Sequence, residues 1–273
     1  MTDRKKQYLF ENGSQVPAFV ELGIFDSNFN LIKAMTPKFI QINNFMGKID
    51  EVFKEMTSTK EKPFQIIDFG SGKAYLTFFL YHYFKNNKNR NVKITGYDIK
   101  ADVVENCNAL AKKYAYENLK FEVSDAKQKL PKPAFLDMVV ALHACDTLTD
   151  HAIAFAIENK AKYIFSVPCC QHELQQQIKS ADKDFDIFMK HGLIKERFSA
   201  LLTDAVRISL LEDAGYKVDV LEVAGFDVTP KNLMIRAVRK DSKWGVKEDK
   251  GIGRSVLEKH DLKQKLAELL IKG

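Results

Sequence analysis

The chain has 273 residues, 45% hydrophobic, 29% charged and 11% aromatic, ordinary proportions for a globular protein that exclude a disordered, collagen-like or coiled-coil chain. No apolar run reaches the ~18–20 residues of a membrane span, and the N-terminal MTDRKKQYLFENGSQ lacks the apolar core of a signal peptide. The net charge of +6 is spread as +1 over residues 1–62, +3 over 63–240 and +2 over 241–273, so no segment is a basic arm. Four cysteines in a chain this long make no disulfide framework and predict a reducing, cytoplasmic setting.

In chain order, Pro17, Gly23 and Pro37 mark short helices and turns. Phe39, Ile42, Phe45, Met46, Ile49, Val52 and Phe53 then recur at helical spacing, predicting an amphipathic helix that packs on something larger. The polar run 57–63 reads as a linker, so residues 1–62 form an N-terminal helical extension. From Phe64 short apolar strands alternate with helical patterns. Strands are predicted at 65–69, 93–97, 120–123, 138–142, 163–167, 217–223 and 233–238. Helices are predicted near 74–86, 101–115, 149–158, 171–190 and 197–214. This alternation predicts an α/β domain over 63–240, with a mostly parallel seven-stranded sheet covered on both faces. The loop around Thr229-Pro230-Lys231-Asn232 holds no helix, so the final strand is predicted antiparallel. The tail 241–273 is polar, with one helix expected through Leu257, Leu262, Leu266, Leu269 and Leu270.

The most informative segment is Ile66-Ile67-Asp68-Phe69-Gly70-Ser71-Gly72-Lys73-Ala74-Tyr75, a buried strand, a glycine turn and a helix start. Glycines let a ligand approach main-chain N–H groups at a helix N-terminus. A dinucleotide fingerprint places glycine where Tyr75 stands. A phosphate-cradling loop lacks its leading glycine and its following hydroxyl. The acidic-x-Gly-x-Gly pattern of S-adenosylmethionine binding does fit, with Ala74 at a frequent third-glycine position. Asp98 ends the second strand, where a carboxylate accepts from ribose hydroxyls, and Asp125 follows the third, placed for the adenine amine. Asp68, Gly70, Ser71, Gly72, Tyr75, Asp98, Ile99, Asp125, Ala126 and Leu142 are the predicted cofactor residues. The competing reading is that the aspartates only cap the helices that follow.

Over 64–240 the sequence resembles class I S-adenosylmethionine-dependent methyltransferases, which implies a Rossmann-like fold ending in an antiparallel strand. DFGSGKAYLTFFLYHY, CNALAKK, VVALHACDTLTDHA and SVPCCQHEL resemble a methyltransferase-domain subfamily, distantly like tRNA 2′-O-methyltransferases. That likeness implies S-adenosylmethionine as cofactor and favours RNA as acceptor. A protein or small-molecule methyltransferase, or a non-catalytic assembly factor retaining the fold, are the alternatives.

His143, Cys145 and Asp146 follow the fourth strand, and Cys169, Cys170 and His172 the fifth. In this fold those strand ends border the methyl group, so His143, Asp146, Cys169, Cys170 and His172 are the candidate catalytic residues, with His143 or Asp146 as base. Three readings stand: an acceptor pocket, plain structure, or a zinc site whose usual Cys-x₂-Cys spacing is missing. No metal is assigned. Cys107 is predicted in the core, and Asp204 and Arg207 as a solvated pair one helical turn apart.

Overall fold

All seven predicted strands form, each within two residues of its expected bounds. They are β1 (Phe64–Phe69), β2 (Val92–Asp98), β3 (Leu119–Val123), β4 (Met138–Leu142), β5 (Tyr163–Val167), β6 (Tyr216–Glu222) and β7 (Leu233–Arg239). The computed structural model describes residues 9–10, 15–53, 62–125, 128, 130–142, 144, 147–178, 185–223, 232–240 and 251–271.

The seven strands make one sheet in the order β3-β2-β1-β4-β5-β7-β6. Sequence patterns explain the order. β4 (MVVAL) and β5 (YIFSV) are continuous apolar runs, buried almost throughout, as interior parallel strands must be. The edge strands β3 (LKFEV) and β6 (YKVDVLE) interleave charged residues with apolar ones. β1 runs parallel to β4 with Ile66 opposite Met138, β4 parallel to β5 with Met138 opposite Tyr163, and β2 parallel to β3 with Ile94 opposite Leu119. β7 is antiparallel to β5, with Tyr163 opposite Val238, as expected from the sequence.

The chain divides into two compact units. The first (Met1–Phe64, Ser71–Val123, Glu222–Asn232) contains β2, β3 and the helices α1 (Pro17–Glu21), α2 (Thr36–Phe53), α3 (Tyr75–His82) and α4 (Ala101–Lys113). An aromatic cluster joins its N-terminal segment to α3: Phe19 stacks on Phe79 at 4.0 Å, Phe10 meets Phe79 edge-on at 4.7 Å, and Phe25 meets Phe39 at 5.6 Å. Asp50 of α2 accepts from the Tyr83 hydroxyl and pairs with Lys88 at 2.7 Å. Tyr83 opens a π-turn, Tyr83–Asn87, that prolongs α3. Asn108 of α4 serves the edge strand: its Nδ2 donates to the Phe121 carbonyl at 2.8 Å and its Oδ1 accepts the Phe121 N–H at 2.9 Å.

The second unit (Gln65–Gly70, Ser124–Leu221, Leu233–Gly273) holds β4, β5, β7 and almost all of β1 and β6. Its helices are α5 (Thr147–Glu158), α6 (His172–Gln177), α7 (Asp186–Met189), α8 (Gly192–Asp213), α9 (Ile252–Lys259) and α10 (Lys265–Leu269). Two expectations are corrected here. The helix predicted over 171–190 is the two short helices α6 and α7 among the described residues, because Ile178 leaves α6 in an extended conformation. The tail forms two helices: Asp261 takes a left-handed conformation (φ 49°), and Gln264 restarts the chain by accepting the Ala267 N–H. Leu257, Leu262 and Leu266 are all buried, and Gln177 exchanges two hydrogen bonds of 2.7 Å with the Lys263 backbone. No described helix is long and apolar enough to cross a membrane.

Candidate functional site

The turn between β1 and α3 demands unusual backbone. Gly70 (φ 68°), Gly72 (φ 52°) and Ala74 (φ 58°) are all left-handed, so two of these positions use the residue that adopts the conformation freely and Ala74 carries the strain. Within the first unit, the Ser71 N–H donates to the Tyr97 carbonyl at 3.0 Å and the Ala74 N–H to the Ser71 carbonyl at 2.8 Å. The Gly72 N–H donates to Asp98 Oδ2 at 2.8 Å, while Asp98 Oδ1 accepts the Lys100 N–H at 3.0 Å. Each carboxylate oxygen keeps a further lone pair.

Space at the turn is tight. A Cβ on Gly96 of β2 would lie 2.5 Å from the Phe121 ring and 3.1 Å from Ser71 Oγ. In the second unit, a Cβ on Gly70 would lie 3.2 Å from the Leu148 side chain and 3.7 Å from Ala144 Cα. Ser71 Oγ is shielded from solvent and has no hydrogen-bond partner among the described residues. Cys107 of α4 is buried as predicted, but its spacing could not reveal its neighbour. Its thiol donates to the Gly72 carbonyl at 3.6 Å, and burial, followed by the Asp98 charge, pushes its pKa up to about 11.

The remaining predicted cofactor residues occupy several places. Asp68 is buried in β1 opposite Val140, Tyr75 opens α3 half-buried, Ile99 is exposed, Asp125 follows β3 half-buried, and Leu142 ends β4. Ala126, His143, Cys145 and Asp146 lie outside the described residues. Cys169 and Cys170 follow β5 as half-buried thiols, outside any disulfide, with sulfurs 3.6 Å apart. His172 opens α6 exposed, with Nδ1 3.4 Å from Gln175 Oε1. Among the described residues, no group of three His, Cys, Asp or Glu side chains is arranged to hold a metal.

The predicted solvated pair is a correction. Asp204 and Arg207 are buried, at 4% and 0% exposure, with Asp150 at 0%. Arg207 donates to both Asp150 oxygens, from Nε at 2.8 Å and Nη2 at 2.7 Å, and from Nη1 to Asp204 Oδ1 at 2.9 Å. Burial works against the Arg207 charge, but the hydrogen bonds and charges of Asp150 and Asp204 more than offset it and raise its pKa. Desolvation holds the Asp204 carboxyl above its ordinary range despite Arg207. The signal was present in the sequence: Arg207 shares a helical stripe with Val206, Leu210 and Leu211, where a charge has to be paired. Two buried glutamines complete the cluster: Gln171 Nε2 donates to Asp204 Oδ2 at 3.0 Å and Gln264 Nε2 to Asp150 Oδ1 at 2.6 Å.

A family model described as "Methyltransferase domain" matches residues 37–177, more than half of the chain. The chain belongs to the methyltransferase domain family. The methyltransferase is also similar to several solved structures. It is 16% identical to a SAM dependent methyltransferase from Aquifex aeolicus, covering 76% of this chain and 96% of that one, with TM-score 0.47. It is 15% identical to the CMeT domain of the citrinin polyketide synthase, covering 75% of this chain and 56% of that one, again with TM-score 0.47. For a geranyl diphosphate methyltransferase the identity is 10%, the coverage 71% and 78%, and the TM-score 0.44. The comparison with curated proteins found no match.

The donor of this methyltransferase is S-adenosylmethionine. At the turn the Ser71 hydroxyl has no hydrogen-bond partner among the described residues and Asp98 keeps acceptor capacity, properties that suit a polar ligand. When bound, S-adenosylmethionine supplies an electrophilic methyl group on a sulfonium.

Proposed function

We propose that the enzyme methylates RNA, with tRNA or rRNA as the acceptor and the cytoplasm as its setting. The observation that carries the donor half is the 2.8 Å hydrogen bond from the Gly72 N–H to Asp98, which ties the glycine turn to the carboxylate at the end of β2. Asp98 takes the ribose hydroxyls. Asp125, with Ala126, takes the adenine amine. Gly70, Ser71 and Gly72 admit the methionine portion to main-chain groups, and Tyr75, Ile99 and Leu142 border it. Asp68 supports the turn from within β1.

The acceptor half is assigned to the segments after β4 and β5. Because the donor is already activated, the protein has to align the nucleophile and remove its proton. His143 and Asp146 are the proposed bases, while Cys169, Cys170 and His172 line the acceptor side. The resemblance to tRNA enzymes and the net charge of +6 support RNA. Residues 1–62 serve as a helical extension, 63–240 as the catalytic domain and 241–273 as a docking tail.

Mass spectrometry of nucleosides from RNA of wild-type and gene-deleted cells tests the acceptor. Loss of one methylated nucleoside in the deletion is expected. An unchanged nucleoside profile defeats RNA and moves the assignment to a protein or small molecule.

A further inference from the structure

We propose that Gln171 binds the methyl acceptor, its side-chain carbonyl oxygen accepting a hydrogen bond from an N–H or O–H group of that molecule. The inference rests on the methyltransferase reading and extends it to a residue and a chemical class of acceptor.

Gln171 is 6% exposed and directly follows Cys169 and Cys170, beyond the carboxyl end of β5. Ligands of open α/β sheets bind at that end of the strands. The orientation of its amide is chemically pinned. Arg207 Nη1–H occupies Asp204 Oδ1 at 2.9 Å, and Gln171 Nε2–H occupies Asp204 Oδ2 at 3.0 Å. A carboxylate oxygen takes a donor, so the amide nitrogen faces Asp204 and Oε1 faces away from it. Oε1 is shielded from solvent and meets no hydrogen-bond donor among the described residues.

Other polar groups around the ionic cluster find their partners within the chain. Gln264, on the same ionic cluster, uses both ends: Nε2 donates to Asp150 and Oε1 accepts the Ala267 N–H at 3.1 Å. The hydroxyls of Thr149, Ser199 and Thr203 donate to the carbonyls of Ala144, Lys195 and Ser199. Ser71, Asn159 and Ser166 also carry a buried oxygen with no partner among the described residues, but none of them is hydrogen-bonded into the ionic cluster. A buried acceptor without a donor is costly, and a donor brought by a bound molecule would offset that cost. The arrangement is also preorganised: Asp150, Arg207 and Asp204 hold the amide before any ligand is present.

An acceptor-only atom selects a molecule that brings a donor, such as an amino, amide or hydroxyl group, and opposes one that presents a carbonyl or thioether there. Methyl transfer forms a bond from the acceptor atom to the methyl carbon, breaks the methyl–sulfur bond of the donor and releases the acceptor's proton. Gln171 contributes only orientation to that step.

The test uses the full chain, tritiated S-adenosylmethionine and an extract of gene-deleted cells containing RNA, protein and small molecules. Gln171→Met removes the carbonyl at similar volume, Gln171→Asn withdraws it by one methylene, and Gln264→Met is the control that disturbs the same cluster. Both Gln171 variants are expected to bind S-adenosylmethionine like wild type in calorimetry. They should lose transfer about tenfold through a raised KM for the labelled fraction, the worth of one hydrogen bond. Gln264→Met should lose stability but keep transfer. Wild-type transfer by either folded Gln171 variant overturns the proposal and leaves the methyltransferase standing. A wild-type protein that binds no S-adenosylmethionine overturns the methyltransferase reading itself.

Discussion

Arg207 faces two carboxylates in a region closed to water, so the cluster Asp150–Arg207–Asp204 carries one more negative charge than positive. Removing the cation and removing one anion therefore have unequal effects. Arg207→Met strands both carboxylates and is expected to cost about 3–5 kcal/mol, the range for breaking a buried pair from one side. Asp204→Asn leaves a balanced Asp150–Arg207 pair and should cost clearly less; urea midpoints of the two variants check the order. Cys107 gives a second prediction with a definite sign. Its thiol pKa is raised from 9.0 to about 11 by burial first and the Asp98 charge second. The native state thus keeps this proton after the unfolded chain has released it. Its contribution is complete below the unfolded value and is lost as pH rises toward the folded one. Between about pH 8 and about pH 10.5 the urea midpoint of wild type should fall more than that of Cys107→Ala; equal falls would contradict the assignment.

At the scale of elements, the strands were legible because burial and composition agree: apolar runs as short as MVVAL and YIFSV, rich in β-branched and aromatic residues, suit strands covered on both faces. Helix ends were less legible. Leucine spacing alone predicted one tail helix, but the break depends on Asp261 turning left-handed and on Gln264 capping the next turn, local events that an apolar period does not encode. The docking of that tail predicts a measurable role for Leu266, which has 0% exposure at the start of α10, the helix that packs on α5. Leu266→Ala should destabilise the protein by about 2–5 kcal/mol, as cavity-forming substitutions do. A urea midpoint indistinguishable from wild type would show that the tail is dispensable to the fold. The candidate site was legible in the same uneven way. The glycine turn is a pattern of a few adjacent residues, and Asp98 stands 26 residues after Gly72 at the end of the next strand. Gln171 and its supports lie 33 and 57 residues from their partners, and only the fold reveals their association.

For the whole molecule, the strand order fixes where chemistry is possible. Passing from β3-β2-β1 to β4-β5 reverses the direction in which successive strands are added, and open α/β sheets bind ligands beyond the carboxyl ends of the strands at such a switch. β1 ends at Phe69, and the glycine turn begins at the next residue. The acceptor was not legible to the same depth, since a shared fold serves many substrates and the residues that choose among them are scattered along the chain. The central proposal is that Asp98 and the glycine turn hold S-adenosylmethionine. Calorimetric titration of the cofactor into wild type and Asp98→Ala tests it most directly. The account predicts saturable one-site binding to wild type and affinity weakened at least about tenfold in the variant, as expected when charge-assisted hydrogen bonds are lost. No binding to wild type, or equal binding to both proteins, would contradict it.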